Sequence, residues 1–161
     1  MNELSTSDNA LIAPIEQATM IAHTLTWARV NSGTHNVAGL GTMASLLADA
    51  FSVLPGDLAL VDPQPAETID AQGNCVSVPT GRHMVLRVRP DAKRRVLLTG
   101  HMDTVYAADD PFQHCEWLDD HRLRGPGVLD MKSGLKTCFK PSKTALIVSI
   151  GGEDWSFIRP V

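Results

Sequence analysis

The segment Arg95-Val96-Leu97-Leu98-Thr99-Gly100 limits the fold more than any other part of this chain. A short continuous apolar run of this kind is the pattern of a strand buried on both faces, and such strands occur in sheets covered by helices. The residues before it supply the covering elements. Apolar positions recur at Leu11, Ile12, Ile15, Ala18, Ile21, Ala22, Leu25 and Ala28, a spacing of three and four that lays one stripe along a helix. That helix starts near Pro14, which only a first turn tolerates, and stops at Asn31-Ser32-Gly33-Thr34. A second helix is expected over Val37 to Phe51, with Leu40, Met43, Ala44, Leu47 and Phe51 inward. Leu58 to Val61 reads as a short strand and Asp62 to Asn74, with two prolines, as a loop. In Met84 to Arg89 the residues Met84, Leu86 and Val88 alternate with Val85, Arg87 and Arg89, the period of an edge or near-edge strand with one solvated face. Across the turn Pro90 to Lys93 this strand is expected to pair with the buried one as a hairpin. The result is an α/β chain of one domain at most, given 161 residues.

Hydrophobic residues are 43% of the chain and aromatics 5%, so the expected core is mostly aliphatic. A net charge of −4 offers no electrostatic reason to bind nucleic acid or anionic lipid. No apolar run approaches the roughly 20 residues that cross a bilayer, and Met1 to Ser5 has neither a basic region nor an apolar core for a secretory signal. Cys75, Cys115 and Cys138 are odd in number and lack CxxC spacing. That favours reduced thiols and a cytoplasmic location, and excludes a cysteine cluster for zinc.

Chemistry enters right after the buried strand, in Gly100-His101-Met102-Asp103-Thr104-Val105-Tyr106. Ligands of open α/β sheets sit at the carboxyl ends of strands. His101 and Asp103 are two apart, so in extended backbone they point to one face. Asp103 can then accept one N–H of the imidazole while the other nitrogen binds a metal. A strand-end histidine beside a turn aspartate gives the same pattern without any metal. The second segment is Gly125-Pro126-Gly127-Val128-Leu129-Asp130-Met131-Lys132-Ser133-Gly134, in which two glycines around a proline make a tight turn and Asp130 can return a carboxylate to the same place. Read alone, Asp130 is equally an N-cap for a helix beginning near Met131. His23, His35, His83, His114 and His121 show no partner spacing and read as surface or packing residues.

In this order the two motifs resemble those of the co-catalytic zinc hydrolases that include glutamate carboxypeptidase, acetylornithine deacetylase, succinyl-diaminopimelate desuccinylase and aminoacylase. The glutamate carboxypeptidase branch is nearest, on Val105-Tyr106 and Gly125-Pro126-Gly127. Ser32-Gly33-Thr34-His35-Asn36 is similar to the family's loop between its first two helices. The resemblance covers residues 8–135 and implies the N-terminal part of a three-layer αβα zinc-hydrolase domain with a mixed sheet. By it, His101 is a ligand of one zinc, Asp103 the catalytic carboxylate that orients it, and Asp130 the bridge between two zincs, followed by a cis peptide. Cobalt or manganese would also suit these ligands. The implied substrate is a small acylated amino acid or short peptide, cleaved at an amide bond by metal-activated water; the resemblance says nothing of oligomeric state.

Two metals sharing a bridge need about five protein ligands, and two are assigned. The family continues with a Glu-Glu pair after a strand, a further carboxylate, a dimerisation lid and a last histidine, in chains more than twice this length. Residues 136–161 form an atypical tail, with Lys136, Lys140, Lys143 and Arg159 against Glu153 and Asp154. Thr144 to Ile150 reads as a strand, and Glu153-Asp154 after it imitates the acid pair, with Glu153 as base and Asp154 as ligand. Pro141 leaves no room for the family's crossover helix before it, so a tail from a shifted or early-ended reading frame is preferred. Three functions compete: the N-terminal part of a zinc metallopeptidase or amidohydrolase, a truncated non-catalytic remnant that binds metal weakly or a complementing chain, and an α/β binding module.

Overall fold

The computed structural model describes residues 17–64, 66–93, 95–137 and 145–151. The expected helix start near Pro14 and the pair Glu153-Asp154 lie outside them. Helix α1 (Gln17–Ala28) is followed by α2 (Val37–Phe51), and both precede the strands. Asn36 caps α2, its side chain accepting from Gly39 N. The five inward residues expected of α2 are the five that are buried. Helix α1 departs from expectation. Thr24, Trp27 and Ala28 are buried while Ala18 and Ala22 are exposed, because the large indole of Trp27 turns the helix toward the core more strongly than a row of alanine methyls.

The main sheet holds β1 (Asp57–Val61), β4 (His83–Val88), β8 (Ala145–Gly151) and β5 (Arg95–His101), in that spatial order. β1 and β8 run antiparallel to β4, and β5 runs parallel to β8, so the sheet is mixed. The expected hairpin between β4 and β5 is therefore wrong. The apolar segment 145–151 takes the place between them, matching Leu86 to Val148 and Val148 to Leu98. Nor is β5 buried on both faces. It borders the described sheet, and Val96 and Leu97 are 43% and 39% exposed. Met84, Leu86 and Val88 do point inward as their alternation predicts, meeting Leu40, Met43, Leu47 and Phe51 of α2. Trp27 and Leu135, from α1 and the short α3 (Ser133–Thr137), complete that core.

Two ribbons stand apart from the main sheet. Within the expected loop Asp62 to Asn74, Ala66–Ile69 forms β2 and pairs with β3 (Cys75–Val78). Asp70 closes the turn between them by accepting from Gln72 N and Asn74 N, a local aspartate turn that composition alone does not separate from irregular loop. β6 (Glu116–Asp119) and β7 (Arg122–Arg124) form the other ribbon. The whole is an incomplete α/β domain with its core on one face of a mixed sheet. Among the described residues no helix is long and apolar enough to cross a membrane.

Candidate metal centre

Strand β5 ends at His101, and the extended chain continues into Met102 and Asp103. What holds this strand end is the loop between the helices. Ser32 Oγ donates to Met102 O at 2.7 Å, Thr104 N to Ser32 O at 2.9 Å, and Thr34 N to Thr104 O at 3.1 Å. The two segments meet as a parallel bridge between Gly33 and Thr104. Only glycine fits there, since a Cβ at position 33 would lie 2.4 Å from Tyr106 O. Asn31 extends the clamp, its amide donating to Tyr106 O, Ala107 O and Gln113 Oε1.

This clamp buries Asp103 to 3% exposure beside the imidazole. His101 Nδ1 lies 3.2 Å from Asp103 Oδ1 and 3.1 Å from Asp103 O, while Thr34 Oγ1 donates to Asp103 Oδ2 at 2.8 Å. An N–H on Nδ1 satisfies both oxygens, and Nε2 then donates when the ring is protonated and offers a lone pair when it is neutral. That nitrogen lies 3.0 Å from Asp130 Oδ1. Asp130 is not an N-cap of a helix at Met131. It sits in an irregular turn, Val128–Lys132, with extended backbone at Asp130 itself and a cis Asp130–Met131 peptide, and α3 begins only at Ser133. Gly127, at φ +70°, aims the turn toward the strand end.

The structure thus brings His101, Asp103 and Asp130 together, although 29 residues separate His101 from Asp130. They line one side of an open cavity of about 450 Å³ that Thr34, Tyr106 and Leu129 help to wall. Two residues of this neighbourhood lie within segments singled out in the sequence, yet nothing there names their partners. One is Thr34, whose hydroxyl fixes Asp103. The other is Lys132, 1% exposed, whose ammonium donates to the carbonyls of Trp27 and Val30. A serine-rich or threonine-bearing loop and a lysine after an aspartate are too common to point at partners so distant in the chain.

Burial alone would lower the pKa of His101, but the Asp130 hydrogen bond, the Asp103 carbonyl and the two carboxylate charges outweigh it and raise the ring above its ordinary value. A raised folded-state pKa stabilises the fold below about 6.5, and that contribution is lost as pH rises through the folded value. Lys132 works in a different window. Burial depresses it to about 8, so its cost to the fold is relieved only above that pH. Calorimetry of the chain with chelator present should therefore show a melting temperature that falls as pH rises above about 6.5. Asp130→Asn should flatten this fall; an unchanged slope would remove Asp130 as a cause of the shift.

Among the described residues the donor chemistry suits a metal ion at one point, between His101 and Asp130. Nε2 and Oδ1 at 3.0 Å are close to the ~3.3 Å that two ligands about 2.0–2.1 Å from a tetrahedral zinc would span. Asp103 faces the other nitrogen and fits the role of an orienting carboxylate. Among the described residues no group of three or more His, Cys, Asp or Glu is placed to hold an ion, and the His101–Asp130 pair would offer two donors where a zinc site needs four.

No protein-family model and no curated protein matches the chain. Solved structures do. Human carnosine dipeptidase 1 is similar over 95% of this chain and 36% of its own, at 18% identity and TM-score 0.63. The dipeptidase Dug1p from Saccharomyces cerevisiae is similar over 91% of this chain and 34% of its own, at 16% identity and TM-score 0.63. A Zn-dependent exopeptidase from Parabacteroides distasonis is similar over 84% and 46%, at 18% identity and TM-score 0.56. The chain thus spans less than half the length of each, and what it shares with these peptidases is their fold, as an incomplete α/β portion.

Proposed function

We propose that this chain is the N-terminal part of a zinc-dependent hydrolase domain, of glutamate carboxypeptidase type, that cleaves an amide or peptide bond of a small acylated amino acid or short peptide. The observation that carries this reading is the His101–Asp130 contact with Asp103 on the opposite ring nitrogen. His101 and Asp130 would hold zinc, Asp130 as the bridge of a pair, and Asp103 would keep the imidazole in the tautomer that leaves Nε2 free. Bound zinc would supply a polarised carbonyl and a water of lowered pKa. Tyr106 and Leu129 would shape the wall against which a small substrate lies. Free Cys75 and Cys115 support a cytoplasmic location. The boundary placed at Leu135, with residues 136–161 as a tail, follows motif register rather than packing, since β8 lies within the sheet.

Cobalt(II) titration tests the metal reading, since visible absorption reports the ion directly. Saturable binding is expected, and Asp103→Ala should weaken it about ten- to a hundredfold, as losses of an orienting carboxylate do. Failure of the parent chain to bind cobalt would remove the metal reading. Equal affinity in parent and Asp103→Ala would remove only the orienting role.

A further inference from the structure

Asp130 is the least anchored member of the site. Its side chain is 84% exposed and meets only His101 Nε2 among the described residues. Its position therefore comes from the backbone on either side. On the strand side, Met131 Sδ accepts from His101 N at 3.4 Å, a weak contact. On the other side stands Lys132, fully enclosed, with Nζ 3.0 Å from Trp27 O and 3.0 Å from Val30 O. Trp27 lies in the last turn of α1 and Val30 two residues beyond it, at the helix end whose dipole favours a cation. The lysine stem passes against the turn itself: a Cβ on Gly127 would lie 3.1 Å from Lys132 Cδ, and Lys132 N donates to Gly127 O at 2.9 Å. The chain leaving this same helix end becomes Ser32 to Thr34, which holds Thr104 and Asp103. One end of α1 is thus the anchor for both halves of the site.

We infer that Lys132 is the positioning residue for Asp130: by tying the Gly127–Lys132 turn to the carboxyl end of α1, it sets the Asp130 carboxylate at contact distance from the imidazole that the following loop of α1 orients through Asp103. This rests on the metal reading only for its consequence in metal affinity. The geometric claim stands apart from it. An enclosed ammonium cannot touch substrate, so Lys132 acts through Asp130 alone.

Lys132→Met removes the donors at similar volume, and Lys132→Gln keeps a shorter donor. Cobalt(II) titration should show affinity at least about tenfold weaker in Lys132→Met, with an altered visible spectrum, and an intermediate loss in Lys132→Gln. Met43→Ala, a core change remote from the turn, should lower the melting temperature yet leave cobalt affinity unchanged. Metal-free crystal structures of both lysine variants should show His101 Nε2 and Asp130 Oδ1 separated beyond hydrogen-bond distance. If Lys132→Met does not fold, Lys132→Gln decides. If the parent chain binds no cobalt, the metal reading falls and the metal-free structures decide this one. Parent-like cobalt affinity in both lysine variants, or an intact His101–Asp130 contact in them, overturns the inference.

Discussion

Replacing His101 with alanine is expected to lower cobalt(II) or zinc affinity by about two to three orders of magnitude, more than Asp103→Ala or either Lys132 variant. Structural zinc sites release about 10–16 kcal/mol across four ligands, or roughly 2.5–4 kcal/mol for each. At about 1.4 kcal/mol per factor of ten, one ligand accounts for that loss. His101 is also the single nitrogen donor of the pair, and the metal-free protein should feel its absence. Asp103, 3% exposed, would keep Thr34 as a partner but lose the imidazole at Oδ1. An unmet buried acceptor costs about 1–3 kcal/mol, so urea denaturation should register a loss of that order. A His101→Ala chain that binds cobalt as the parent does would place the ion elsewhere.

An isolated chain of residues 1–161 is expected to show no measurable hydrolysis of N-acyl amino acids or glutamyl amides, with zinc or cobalt added. By the proposed reading the described residues would supply two ligands, whereas a pair of metals needs about five, and among the described residues no glutamate lines the cavity. A missing general base alone removes about 10²–10⁴ in rate, and an incomplete metal pair removes most of the rest. The outcome that would reverse this is a monodisperse preparation with zinc-dependent turnover that Glu153→Gln abolishes. Glu153 would then be the base, and the remnant reading would fall.

Where the sequence was legible, the controlling interactions were short in range or periodic. The five buried positions of α2 follow from a stripe at three and four, and the inward face of β4 from alternation. His101 and Asp103 share a face because two residues of extended chain place them so. Where it was not legible, competition between distant segments decided. The apolar run 145–151 reads as a strand, but its hydropathy does not name its neighbours. Its insertion between β4 and β5 displaced the nearer pairing across Pro90 to Lys93. The phase of α1 was missed for a related reason, because one tryptophan outweighed several small residues only once there was a sheet to pack on.

The sequence by itself determined the donors: an imidazole with a carboxylate two residues on, and a second carboxylate behind a glycine-proline-glycine turn. Tertiary structure decided that these donors meet. That depends on hydrogen bonds spanning 69 residues from Thr34 to Asp103 and 105 residues from Trp27 to Lys132, at one end of one helix. The physical reason is that side-chain chemistry and backbone period are local properties. Which buried ammonium finds which helix end depends on the packing of the whole core, and no window of sequence contains that information.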